Sequence, residues 1–158
     1  MSKLIPCFRY LFYMLAMGIL MSLNTINSLK ISDKVEVNWH KIMDVEELVA
    51  DQAKPVFIDF SASWCGWCKV MDTKTFSKTE VATSLNTDFY AVKVDYDSQR
   101  PFRFLGQEFT GNSLAKYYGV TGLPTMIFLS SDLKKSKSVV GYKNVDQFLA
   151  KLKRYRDL

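Results

Sequence analysis

The sequence predicts an α/β domain, and three observations carry that reading. Strand-like and helix-like segments alternate from Lys30 to the C-terminus, with no low-complexity linker and no internal repeat. The run Val56 to Phe60 (VFIDF) is almost continuously apolar, as a central strand buried on both faces must be. In the last segment Val145, Phe148, Leu149 and Leu152 recur at i, i+3, i+4 and i+7, the spacing of a helix that packs one face on a sheet.

Taken in order, Val35 to Trp39 alternates and reads as a first strand. Asp44 with Glu47 has the spacing of a capping box, opening a helix that runs to about Ala53 and is ended by Pro55. The VFIDF strand follows, and its one acid, Asp59, is out of keeping with burial on both sides. A helix then runs to about Phe76, bends near Ser77, and restarts on a second box, Ser77 with Glu80, through about Leu85. Phe89 to Val94 (FYAVKV) is a strand. Asp95 to Asn112 reads as a long irregular segment broken by Pro101, Gly106 and Gly111, of the kind that is usually functional or mobile. Ser113 to Tyr118 is a short helix, Thr125 to Leu129 (TMIFL) a strand, and Ser138 to Gly141 a short edge strand. Asn144 with Gln147 caps the last helix, whose Lys151, Lys153, Arg154 and Arg156 form a solvated face near its C-terminus.

A chain of 158 residues holds one domain and an appendage, which excludes a multidomain enzyme. With 48% apolar and 23% charged residues it fits neither a disordered chain nor a polytopic membrane protein. The net charge of +5, of which Lys3 and Arg9 contribute two, is too mild to point to nucleic acid. Three cysteines, at 7, 65 and 68, are too few for a disulfide scaffold. Residues 1–9 carry Lys3 and Arg9 and no acid, and Tyr10 to Leu23 is an uncharged, largely apolar run. As a helix that run would span about 21 Å, short of the roughly 30 Å hydrocarbon core. Residues 1–28 therefore read as a signal peptide, or as an uncleaved N-terminal anchor, with Cys7 part of the leader and residues 29–158 the domain. The domain is expected outside the cytoplasm, periplasmic or envelope-associated in a bacterial-type cell, and its contact with a membrane is only through the leader where that is uncleaved.

The informative stretch is FSASWCGWCK, residues 60–69. Two thiols at i and i+3, the first after a strand and the second in the opening turn of a helix, can close a small disulfide loop and open it again. Cys65 at the helix N-terminus is placed where unpaired N–H groups and the macrodipole favour a thiolate, the nucleophile of disulfide exchange. Cys68, one turn in, is the resolving thiol. Burial should raise the pKa of Asp59, so that it either exchanges a proton with Cys68 or stands as a structural acid paired with a lysine such as Lys93. Trp64 and Trp67, beside an exposed nucleophile with Gly66 between them, form an apolar rim for an extended substrate; Met71 and Phe76 are core.

These residues resemble the thioredoxin superfamily. The resemblance rests on Ile58-Asp59-Phe60, Trp64-Cys65-Gly66-Trp67-Cys68-Lys69, Gly122-Leu123-Pro124-Thr125 and Gly141, in that order over most of residues 35–155. It implies a central mixed sheet flanked by helices on both faces, a cis peptide before Pro124 facing the sulfurs, and a backbone at Leu123 that pairs with substrate. Thr75-Phe76-Ser77, followed by a Val and a Leu-Asn helix, is similar to exported thioredoxin-like proteins and to the C-terminal domain of the bacterial transmembrane disulfide reductase. Thr73 stands where thioredoxin has the proline that kinks its active-site helix, and Trp67 where it has the proline of the C-x-x-C loop. The segment between Asp95 and Tyr118 is longer than in thioredoxin, either a partner-recognition loop or a surface insertion.

The expected function is thiol–disulfide exchange with protein substrates, as a reductant supplied by a membrane electron-donor protein, with no cofactor. A disulfide oxidase or isomerase and a copper(I)-binding thiol module are the alternatives. The latter has two soft sulfur ligands, but Met43, Met71 and Met126 form no cluster in sequence. A closed zinc site needs four ligands, more than two cysteines and one histidine supply in a monomer.

Overall fold

The computed structural model describes residues 34–158; the leader expected over residues 1–28 lies outside the described residues. The strands, in chain order, are β1 (Trp39–His40), β2 (Val56–Ser61), β3 (Tyr90–Asp95), β4 (Phe102–Phe104), β5 (Gln107–Phe109), β6 (Thr125–Leu129) and β7 (Ser136–Val140). The helices are α1 (Val45–Asp51), α2 (Gly66–Met71), α3 (Thr79–Asp88), α4 (Gly111–Tyr117) and α5 (Val145–Tyr155). The main sheet has the order β1-β3-β2-β6-β7. Strands β1, β3 and β2 are parallel, while β6 and β7 run antiparallel, so the sheet is mixed. No described helix is long and apolar enough to cross a membrane.

Alternation along the central strands divides the interior in two. Val56, Ile58, Phe60, Val92, Val94, Ile127 and Leu129 face one core, closed by Val45 of α1, Leu114 and Ala115 of α4, and Phe104 and Phe109. Phe57, Ala91, Met126 and Phe128 face the other, closed by Met71, Phe76, Val81, Leu85, Phe148 and Leu152. In that second core Phe57 sits among Trp39, Phe76, Phe128 and Phe148 with ring centroids 5.3–6.2 Å apart. Met71 and Phe76 are buried, as expected.

Several elements differ from the sequence reading. Only Trp39 and His40 pair as a strand, because the extended stretch before them is held by a side chain instead of a ladder. Asn86 accepts from the Asn38 N–H at 2.8 Å and donates to the Glu36 carbonyl at 2.9 Å. The capping box at Asp44 does not form: Asp44 already has helical dihedrals, inside a 3-10 turn (Ile42–Asp44), and its side chain caps nothing. The box at Ser77 fails for another reason. After α2 the chain runs through a π turn (Asp72–Phe76), and the Ser77 hydroxyl donates back to the Thr73 carbonyl at 2.7 Å, leaving Lys78 as the N-cap of α3. The Ser77 N–H reaches the Asp72 carbonyl at 3.0 Å, the i to i+5 bond of a π bulge. The hydroxyls of Thr73 and Ser77 thus bond back to carbonyls of the preceding turn where α2 ends.

Asp95 to Asn112 is not irregular. It holds the β4–β5 hairpin, with Phe102 opposite Phe109 and a two-residue turn at Leu105-Gly106. Both turn residues have positive φ, 52° and 70°, as a type I′ turn requires. Leucine is a poor residue there, and its conformation is held from outside: the Leu105 N–H donates to Glu46 Oε2 of α1 at 3.0 Å. At the hairpin's base a Cβ on Gly111 would lie 1.9 Å from the Asp95 carbonyl oxygen, so only glycine allows this approach. Helix α4 begins two residues earlier than expected, on a Thr110–Ser113 box, and α5 begins on the expected Asn144–Gln147 box.

Candidate functional site

Strand β2 ends at Ser61 and the chain turns into α2, leaving Cys65 as the N-cap. Its backbone is extended and its Sγ accepts from the Cys68 N–H at 3.1 Å, the place usually held by a serine or aspartate oxygen. An N–H that would otherwise lack a partner is therefore aimed at the atom that carries charge once the disulfide opens. Cys65 and Cys68 are disulfide-bonded, with Cα atoms 5.3 Å apart.

The cysteines themselves are buried, 5% and 3% exposed, against the expectation of an exposed Cys65. Ala62, Tyr96 and Leu123 pack around the pair and cover it. The rim is what reaches solvent: Trp64 is 65% exposed and Trp67 62%. The Trp64 indole N–H donates to Asp97 Oδ2 at 2.6 Å, and the Trp67 ring leans on Tyr142 with centroids 5.6 Å apart. A recess of about 150 Å³ beside the pair is lined by Trp64, Tyr96, Val120, Thr121, Gly122 and Leu123. A methyl group at Gly66 would meet no protein atom within 4 Å, so packing does not require glycine there. The Leu123–Pro124 peptide is cis, and Leu123 packs against the disulfide cluster.

Asp59 lies on the sheet face that packs against α2, opposite Lys93 in the parallel β2–β3 register. Lys93 Nζ is 3.4 Å from Asp59 Oδ2 and pairs also with Asp72 at the start of the π turn. The ammonium stands over the rings of Trp39 and Phe76, at 4.9 and 5.4 Å. Asp59 is 1% exposed, and its Oδ1 has no hydrogen-bond partner among the described residues. Burial pushes its carboxyl up from 3.8 to about 6; Lys93 draws it down, and Asp72 pushes it up. The expected raised pKa and a lysine pair therefore coexist, because Asp72 competes for the ammonium and the pair leaves desolvation uncancelled. A groove of about 390 Å³ lined by Trp39, Asp72, Phe76 and Lys93, among others, opens over this network.

Sequence reasoning missed Tyr96, Asp97, Asp72 and Tyr142. All four are ordinary polar or aromatic residues whose partners, the disulfide cluster for Tyr96, Trp64 for Asp97, Lys93 for Asp72 and Trp67 for Tyr142, are met only when distant segments fold together, and no spacing in the sequence signals it. Among the described residues no group of three or more His, Cys, Asp or Glu is arranged to hold a metal ion.

The family model Thioredox_DsbH, described as a protein of unknown function, DUF255, matches residues 22–148. The thiol:disulfide interchange protein DsbD of Campylobacter jejuni (strain RM1221) is 28% identical over 134 residues, covering 82% of this chain and 22% of that protein. DsbD of Pectobacterium atrosepticum is 30% identical over 116 residues, 72% of this chain and 18% of that one. The chain thus spans about a fifth of the length of these curated relatives, 22% and 18%. Among solved structures, a DsbH oxidoreductase superposes with a TM-score of 0.65 at 21% identity, covering 82% of this chain and 91% of that chain. The C-terminal domain of Neisseria meningitidis DsbD in the oxidised form gives 0.55 at 25% identity, covering 70% and 89%. The former likeness bears on the fold, which is thioredoxin-like.

Proposed function

Because this chain belongs to the Thioredox_DsbH family of thioredoxin-fold proteins, we propose that it is a thiol–disulfide oxidoreductase acting on protein disulfides, exported and working as a reductant. The observation that carries the reading is the Cys68 N–H donated to Cys65 Sγ at 3.1 Å, beneath a rim of two exposed tryptophans. That N–H stabilises a Cys65 thiolate relative to the thiol, which lowers its pKa toward the range in which attack is efficient. The interchange function named for the DsbD relatives is in keeping with this chemistry.

In the reduced protein the Cys65 thiolate attacks one sulfur of a substrate disulfide. The substrate S–S bond breaks, one substrate thiolate departs, and Cys65 is left in a mixed disulfide. Cys68 then gives its proton to the Asp59 carboxylate, directly or through one water, and its thiolate attacks Cys65 Sγ. The second substrate thiolate departs and the Cys65–Cys68 disulfide described above forms. The substrate has gained two electrons and two protons, and the protein has lost two thiol hydrogens. A carboxyl titrating near 6 is suited to take and return that proton near neutral pH. Trp64, Gly66 and Trp67 border the incoming chain, and the Leu123 backbone before cis-Pro124 pairs with it. The exchange runs on the two sulfurs, without an organic cofactor or metal. In an oxidising compartment the protein must be re-reduced, which calls for a membrane electron-donor protein as partner.

Reduction of insulin disulfides by the protein with a recycling dithiol tests the activity. Cys65→Ser should abolish turnover with the fold intact, and turnover near wild type would overturn the mechanism. Equilibration against dithiol buffers tests the direction. A potential near about −270 mV is expected of a reductant, whereas about −120 to −180 mV would mark a disulfide donor or isomerase.

A further inference from the structure

Residues 140–143 form a turn that ties three parts of the site together. The Gly141 N–H donates to the Pro124 carbonyl at 2.8 Å, and buried Thr75, in the π turn after α2, donates its hydroxyl to the Lys143 carbonyl at 2.7 Å. The Lys143 ammonium donates to the carbonyls of Val140, Gly141 and Tyr142 at 2.8, 3.0 and 3.2 Å. Tyr142, fixed in this turn, supports the Trp67 ring at 5.6 Å and an interplanar angle of 31°, while Trp67 remains 62% exposed. The indole is therefore held against tyrosine and still offers a free apolar surface. Its backbone is two residues from Cys65, at most about 7.6 Å between Cα atoms at 3.8 Å per residue.

Resting on the exchange reaction proposed above, we infer that Trp67 and Tyr142 form a ledge that selects substrates. The ligand is an extended polypeptide carrying a large aromatic or aliphatic side chain next to its reactive cysteine. A partner sulfur that bonds to Cys65 brings its neighbouring residues, each about 3.3 Å further along an extended chain, over Trp67. Tyr142 is a positioning residue: its ring braces the indole at a tilt of 31°, so that the free surface is ordered before substrate arrives and less side-chain freedom is lost on contact. Lys143 and Thr75 act one step further back, by holding the turn.

The test uses two octapeptides, one with Phe and one with Ser beside a single cysteine, each carrying a nitrothiobenzoate leaving group in disulfide linkage. Attack of the reduced protein on the peptide sulfur releases the coloured thiolate, and Cys68 then frees the peptide thiol. Single-turnover rates as a function of peptide concentration separate the half-saturating concentration from the limiting rate. The wild-type protein is expected to half-saturate at about threefold to tenfold lower concentration with the Phe peptide, the size of one aromatic contact. Tyr142→Ala and Trp67→Ala should each bring that ratio close to one; for Tyr142→Ala the change falls on half-saturation and not on the limiting rate, and Tyr142→Phe should restore the wild-type ratio. Trp67 is exposed, so Trp67→Ala keeps the test decisive where Tyr142→Ala fails to fold. Equal half-saturation for the two peptides in the wild type, or a preference that survives Trp67→Ala, overturns the ledge and leaves the exchange activity standing. Failure of the wild type to react with either peptide or with insulin overturns the activity itself.

Discussion

Replacing Asp59 by asparagine removes a carboxyl group that is 1% exposed and titrates at about 6 instead of 3.8. Moving from 3.8 to about 6 amounts to about 3 kcal/mol, and burial at this level leaves no solvent screening to discount. Its sign follows from proton counting. Below pH 4 the group is protonated in both states and contributes nothing against folding. Between pH 4 and 6 the unfolded chain releases the proton while the folded chain keeps it, so stability falls as pH rises and the loss is complete by about pH 7. The attraction of Lys93 is already contained in the shifted value, and in the variant Lys93 retains Asp72. Asp59→Asn should therefore be up to about 3 kcal/mol more stable than the wild type at pH 7 and nearly equal to it at pH 3.5. The quantity to measure is the difference between the two oxidised proteins, from guanidinium denaturation midpoints at both pH values. A difference that is the same at pH 3.5 and 7 would refute the reasoning. The same substitution should slow resolution of the mixed disulfide, since Cys68 loses its proton acceptor; the chain would thus keep a destabilising group for its chemistry.

Gly111→Ala places a methyl group 1.9 Å from the Asp95 carbonyl and should cost about 1–3 kcal/mol through a forced backbone shift, read as a lowered denaturation midpoint. Phe104→Ala removes a fully buried ring of the hairpin and should cost about 3–5 kcal/mol; a loss under about 1 kcal/mol would mean that the hairpin is a surface appendage. Asp97→Ala frees the Trp64 indole N–H, and the tryptophan emission of the oxidised protein should shift and lose anisotropy, whereas unchanged spectra would count against the hydrogen bond.

Much of the site was legible because its chemistry is local. The sulfur spacing, the buried acid and the proline before a strand are set by residues close in sequence; in the structure Leu123 packs against the Cys65–Cys68 pair and the Leu123–Pro124 peptide is cis. The hairpin was illegible because its turn, Leu105-Gly106, lacks the asparagine or aspartate that usually marks positive φ; Glu46, about sixty residues away, supplies the missing restraint. Two capping boxes failed because the same hydroxyl or carboxyl spacing arises inside turns, where the backbone is already helical or the hydroxyl has a nearer acceptor, as Ser77 has in the Thr73 carbonyl.

The amino-acid sequence by itself determined the α/β alternation, the strand buried on both faces and the disulfide at a helix start, since each follows from periodicity or from spacing within about ten residues. The tertiary structure alone decided what surrounds that disulfide. The β2–β3 register set Lys93 beside Asp59, the π turn brought Asp72 to the same ammonium, and the turn at 140–143 put Tyr142 under Trp67. Side chains far apart in the chain meet only when strand order and helix docking are settled, and those depend on burying two apolar faces at once, which no local pattern encodes.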